Sequence, residues 1–177
     1  MVTRLAIAQL GDPVLRQCAE PIQDAGEPWV QALIDNLLKT LYESKGVGIA
    51  APQVASSHQL LVIASYPNSR YPHAPSMKPV ALVNPRLVSH SEERVKDWEG
   101  CLSIPGIRGL VPRYTEVEVE YCDRHGVVQR QVFTDFVARI FQHEFDHLNG
   151  QVFLDHVESV YDMMTEQEYL KRIVNAS

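Results

Sequence analysis

His143, Glu144 and His147, in the run His-Glu-Phe-Asp-His, have types and spacing that could do chemistry. Histidines four apart stand one turn apart on one helix face, so both imidazoles can reach one metal ion. A glutamate beside the first is placed to take a proton from a water that such a metal activates. The blander alternative is a helix with two satisfied histidines and a surface carboxylate. Against it, Phe136, Ile140, His143 and His147 form one stripe, with Val137, Phe141, Glu144 and Leu148 beside them. Both imidazoles and the carboxylate therefore continue an apolar face and need partners in the interior, while Gln142 points elsewhere. Asp146 is one candidate to orient an imidazole.

Two ligands do not make a site. In the metzincin run HExxHxxGxxH, Gly150 falls at the glycine, but Phe153 stands where the third histidine belongs and His156 comes too late. A thermolysin-like ligand set needs a downstream glutamate. Glu158, Glu166 and Glu168 are available, but little chain is left to build that subdomain. Upstream, "WEGCLSIPG" (98–106) sets Cys101 in a constrained loop between Gly100 and Pro105. A free cysteine is often just a small buried hydrophobe. As a thiolate, Cys101 would be a good metal ligand. Cys18 and Cys122 are read as structural. Three widely spaced cysteines without CxxC argue against a disulfide scaffold and fit a reducing cytosol.

These residues need elements to hold them. "PWVQALIDNLLKTLYESK" (28–45) carries an apolar stripe from Val30 to Leu41, with Pro28 at its start and Gly46 as its stop. The glycine-rich loop "GVGIAAPQV" follows. Residues 59–65 read as a buried strand, 66–79 as an exposed Pro-rich loop, and 80–88 as a strand bent at Pro85. Residues 115–133 alternate on both sides of "DRHG", which predicts a β-hairpin. A helix over 135–148 ends at Asn149-Gly150, and the C-terminal segment has room for a short helix. The pattern is α+β with an antiparallel or mixed sheet, in one domain over 1–177. The net charge of −6, from 16 basic and 22 acidic residues, offers no broad basic surface, so no direct nucleic-acid partner is expected. No apolar run approaches the roughly 18 residues of a membrane span, and the N-terminal apolar run is too short for a signal peptide.

Taken together, three segments resemble the peptide deformylases. "GVGIAAPQV" (46–54) looks like that family's GxGxAAxQ motif, "EGCLS" (99–103) like its second, and "HEFDH" (143–147) like its third, HExDH. Asp146 is part of the resemblance. The family fold is α+β, with short antiparallel sheets around a central helix that bears the two histidines. The resemblance implies one divalent metal per chain, held by Cys101, His143 and His147. Fe(II) is the family's usual metal in cells, and Zn, Ni or Co can occupy the site. It implies Glu144 as general base, and an oxyanion held by the metal, the Gln53 side-chain amide and the Leu102 backbone N–H. Gly46 and Gly48 become turn residues that let backbone approach the substrate. Val47 and Gly100 resemble positions that pair with the peptide in strand fashion.

Phe136 and Ile140 are candidate walls for a methionine side chain, with ordinary core as the alternative. Arg139 is a departure, since some deformylases carry an aliphatic residue there. It is read as a solvated charge, or else as a stem at the pocket mouth. The implied reaction removes the formyl group from N-formyl-methionyl nascent chains at the ribosome, releasing formate. The implied location is the cytoplasm, or an organelle if a transit peptide preceded the chain. A zinc endopeptidase and a non-catalytic metal-binding relative are the rival readings.

Overall fold

Leu60, Leu61, Val62 and Ile63 are apolar without alternation, and all four are buried. Successive strand side chains point to opposite faces, so such a run needs cover on both sides. The computed structural model, which describes residues 2–175, supplies it with two helices. Helix α1 (Pro28–Glu43) buries Val30, Ile34, Leu37 and Leu41 against Leu60 and Val62. Helix α2 (Asp135–Leu148) meets Leu61 and Ile63 on the opposite face.

That strand belongs to an antiparallel sheet of β1 (Gly48–Ala50), β2 (Leu60–Ile63), β3 (Val80–His90), β6 (Glu116–Cys122) and β7 (Val128–Thr134), in this order. A second antiparallel sheet holds β4 (Arg94–Cys101), β5 (Ile104–Tyr114) and β8 (Met163–Thr165). Helix α2 lies between the two sheets and touches both. It is buried almost all round, from Ala138 to Leu148.

The expected hairpin is β6–β7, with register from Glu116↔Thr134 to Cys122↔Val128. The expected bend at Pro85 is a bulge: the register slips between Val83 and Arg86, and Asn84 takes φ 49°. The Asn84 amide closes it by bonding both backbone groups of Ile22, at 2.8 and 2.7 Å. Residues 98–106 are not a loop. They form the tip of the β4–β5 hairpin, where Cys101 pairs with Ile104 across Leu102 and Ser103. The C-terminal segment adds β8, then the short helix α3 (Glu166–Tyr169), which runs into a π-helical turn over Leu170–Val174. The last two residues of the predicted tail lie outside the described residues. Among the described residues, no helix is long and apolar enough to cross a membrane.

Candidate metal centre and substrate cleft

Three elements converge on one buried point. Helix α2 presents His143 and His147 from successive turns, and the β4–β5 tip presents Cys101. One donor atom from each lies within 4.8 Å of the others. Cys101 Sγ is 3.3 Å from His147 Nε2. The irregular turn after β1 adds Gln53, whose Oε1 accepts from the Ala50 N–H at 2.8 Å. That bond fixes the amide so that Nε2 faces Cys101 Sγ at 3.4 Å and Ser103 Oγ at 3.3 Å.

The orientation of His143 comes from Glu99, whose Oε2 accepts from Nδ1 at 2.9 Å. This leaves Nε2 as the free ring nitrogen. Glu99 is in turn gripped by two arginines. Arg113 donates from Nε and Nη2 at 2.9 and 3.1 Å, and Arg139 from Nη1 at 2.9 Å. Burial alone raises the Glu99 carboxyl, but Arg113 and His143 outweigh it and hold it well below the usual carboxylate range. Burial also raises the Cys101 thiol. His147 and His143 reverse that and favour the thiolate.

Glu144 is 4% exposed, and its Oε2 has no hydrogen-bond partner. Burial pushes its carboxyl up to about 7, against the pull of the two histidines. Burial of this kind makes the carboxylate a stronger base than an exposed glutamate. Gly48 makes room for it: a Cβ there would stand 2.6 Å from Glu144 Oε1. Gly46 and Gly48 therefore serve by lacking a side chain, not by turning the chain, and neither has positive φ. Gly100 is confined in the same way, since its Cβ would meet the Arg108 guanidinium at 2.9 Å.

All the residues expected to contact substrate line one cleft above this point. Gly46, Val47 and Gly48 line one rim from the start of β1, Gly100, Cys101 and Leu102 line the other from the hairpin tip, and Phe136 and Ile140 line the cleft from α2. Tyr71 and Arg70 close one end, so part of the Pro-rich loop folds over the cleft rather than standing in solvent. The Tyr71 ring packs on Phe136, with centroids 5.6 Å apart. Behind this wall Arg108 is fully buried. It lies between the Tyr71 and Tyr169 rings and donates to Glu166 Oε1 at 2.7 Å.

Three further sequence readings need correction. Asp146 does not touch an imidazole of the metal pair; its Oδ2 lies 2.7 Å from Arg113 Nη1 and 3.0 Å from His156 Nε2. Gln142 is buried, exchanging bonds with the Tyr114 backbone at 3.0 and 2.9 Å. Arg139 is 7% exposed, and its Nη1 and Nη2 donate to Glu99, Val111 and Val95, so it is not a solvated charge. The roles of Glu99 and Arg113 also escaped sequence reasoning. For Glu99 the signal was there, since it opens the "EGCLS" segment. Cys18 is exposed and Cys122 half-buried, both outside the ligand cluster.

The model of the family described as polypeptide deformylase matches residues 4–162. The chain belongs to the polypeptide deformylase family. It is 58% identical to peptide deformylase 2 of Nostoc sp. over 165 residues, covering 93% of this chain and 92% of that protein. A class I type b peptide deformylase from Acinetobacter baumannii, solved with Met-Ala-Ser bound, superposes with a TM-score of 0.86 at 42% identity. That match covers 89% of this chain and all of the other. The peptide deformylase of Synechococcus elongatus, in complex with actinonin, gives 0.80 at 38% identity, covering 95% of this chain and 85% of that one.

The chain is therefore a peptide deformylase-family hydrolase. Peptide deformylases are metalloenzymes, and the donor set here fits an ion. One thiol and two imidazoles share a buried point, with no apolar packing role that calls for all three. Three protein donors leave a position open, as catalytic sites require.

Proposed function

We propose that this chain removes the formyl group from N-formyl-methionyl nascent chains in the cytoplasm, acting as a single catalytic domain. The observation that carries the reading is Glu144, a buried carboxylate with an unpartnered oxygen beside the Cys101, His143 and His147 donors. The relative with Met-Ala-Ser bound supports a peptide that begins with methionine.

Cys101, His143 and His147 would hold a divalent metal, Fe(II) in cells, with Zn, Ni or Co able to replace it. When bound, that ion supplies Lewis acidity, acidifying water and polarising the formyl oxygen. Glu144 takes the proton from the water that adds to the formyl carbon and passes it to the departing amine. The Gln53 amide, held by Ala50, and the Leu102 N–H are placed to donate to the oxygen as it gains charge. Gly46, Val47, Gly48 and Gly100 offer backbone on both rims for a peptide in extended form. Phe136 and Ile140 receive the methionine side chain.

The test is formate release from formyl-Met-Ala-Ser by protein purified without oxygen and loaded with iron. Turnover is expected. Its absence at full metal occupancy overturns the proposal.

A further inference from the structure

We propose that Arg139 is a positioning residue for the metal centre, acting through Glu99 on His143. This rests on the reading of Cys101, His143 and His147 as metal ligands.

Arg139 precedes His143 by one helical turn on α2. Its Nη1 donates to Glu99 Oε1 at 2.9 Å and to the Val111 carbonyl at 2.7 Å. Its Nη2 donates to the Val95 carbonyl at 2.6 Å, and the Asp97 carbonyl lies 3.4 Å from Nη1. Every partner lies on β4 or β5. One side chain of the helix that carries two ligands thus grips the hairpin whose tip carries the third.

The two oxygens of Glu99 divide the work. Oε1 accepts from Arg113 and Arg139, while Oε2 accepts from Arg113 and His143. Arg113 alone would leave the carboxylate able to pivot about that fork. Arg139 adds a second anchor on the oxygen away from the imidazole, so Oε2 is held where His143 Nδ1 needs it. A planar guanidinium can meet several acceptors at once, and a lysine ammonium cannot reproduce that span. A charge this buried is tolerated because Nη1 and Nη2 meet acceptors, one of them the Glu99 carboxylate, and those bonds tie both ligand-bearing elements together.

The test measures metal binding rather than turnover. Arg139→Met keeps an unbranched stem and removes every donor; Arg139→Lys keeps the charge. Zn(II) dissociation constants come from chelator competition, and visible spectra from Co(II)-loaded protein, alongside thermal midpoints. Arg124→Met is the control. It removes another arginine clamp, onto Gln31 and Asp35 of α1, away from the cleft. Arg139→Met is expected to raise the Zn(II) dissociation constant about 10-fold or more, the range seen when groups that orient a ligand are lost, and to shift the Co(II) bands. Arg139→Lys should fall between it and wild type, and Arg124→Met should change neither reading.

An unchanged dissociation constant and spectrum in folded Arg139→Met overturns the proposal, whatever happens to the thermal midpoint. If that variant does not fold, the same result with Arg139→Lys overturns it. Wild-type protein whose Co(II) spectrum lacks a thiolate band instead overturns the ligand reading beneath it. Absent deformylation with intact metal binding overturns only the function.

Discussion

Asp146 Oδ2 lies 2.7 Å from Arg113 Nη1, while the other nitrogens of the same guanidinium grip Glu99. Aspartate in the fourth place of the His-Glu-Phe-Asp-His run thus acts at one remove. It sits beside the ligand His147 in sequence, yet through Arg113 and Glu99 it bears on the other ligand, His143. A short carboxylate at this helix angle reaches Arg113 while both histidines face the metal point. Asp146→Asn keeps the shape and removes the charge, weakening charge-assisted bonds to Arg113 and His156. A loss of about 1–3 kcal/mol is expected, read from urea unfolding of wild type and variant side by side. Equal midpoints would show that Asp146 contributes no stabilising charge.

Glu144→Gln preserves volume and removes the base. The ligands are untouched, so metal content should match wild type. Turnover of formyl-Met-Ala-Ser should fall by about 10²–10⁴-fold, the usual worth of a positioned acid–base group. Metal analysis with steady-state kinetics on one preparation decides it, and a variant with near-normal kcat would remove Glu144 from its role.

Gly48→Ala puts a methyl group 2.6 Å from Glu144 Oε1 and 2.7 Å from Ile140 Cγ2. Overpacking of this kind costs about 1–3 kcal/mol. The carboxylate can yield only by leaving its position, so kcat should drop while metal content holds. A variant with a lowered thermal midpoint but unaltered kcat would mean that Ile140 and the backbone had moved instead.

The C-terminal segment is expected to release in acid. Burial raises the Glu166 carboxyl, but the hydrogen bond and charge of Arg108 outweigh it, and the net shift is below its ordinary 4.5. A lowered folded value means that the contact stabilises the protein above the unfolded value and is lost as pH falls through the folded one. Docking of α3 should therefore hold at neutral pH and weaken below about 4.5. The Trp98 ring, 5.8 Å from Tyr169, reports it by fluorescence, with Trp29 replaced by phenylalanine to remove its signal. Glu166→Gln should flatten that acid transition, and an unaltered transition would assign it elsewhere.

The metal-bearing helix was legible in the sequence because its information is local. Histidines one turn apart, a stripe of Phe136 and Ile140 and a stop at Asn149-Gly150 need no distant partner to be read. The glycine-rich turn and "EGCLS" could be recognised as motifs, and with them Gln53 and Cys101. The strands around Cys101 could not. Residues 94–114 carry glycine, proline and charge in strand positions, and a strand is stabilised by its neighbours more than by its own propensity.

The charged residues mark the sharpest limit. Arg139 and Gln142 read as polar residues away from the buried face, which is where such residues usually lie, and Asp146 reads as a partner for an imidazole rather than for Arg113. Burial of a charge depends on what the chain brings to meet it. Arg139 and Glu99 stand 40 residues apart, and His143 and Glu99 44 apart. Sequence alone determined which side chains could bind a metal and move a proton. Only the tertiary structure decided how they are held, because that depends on pairing buried charges across two strands and a helix, and no local pattern encodes it.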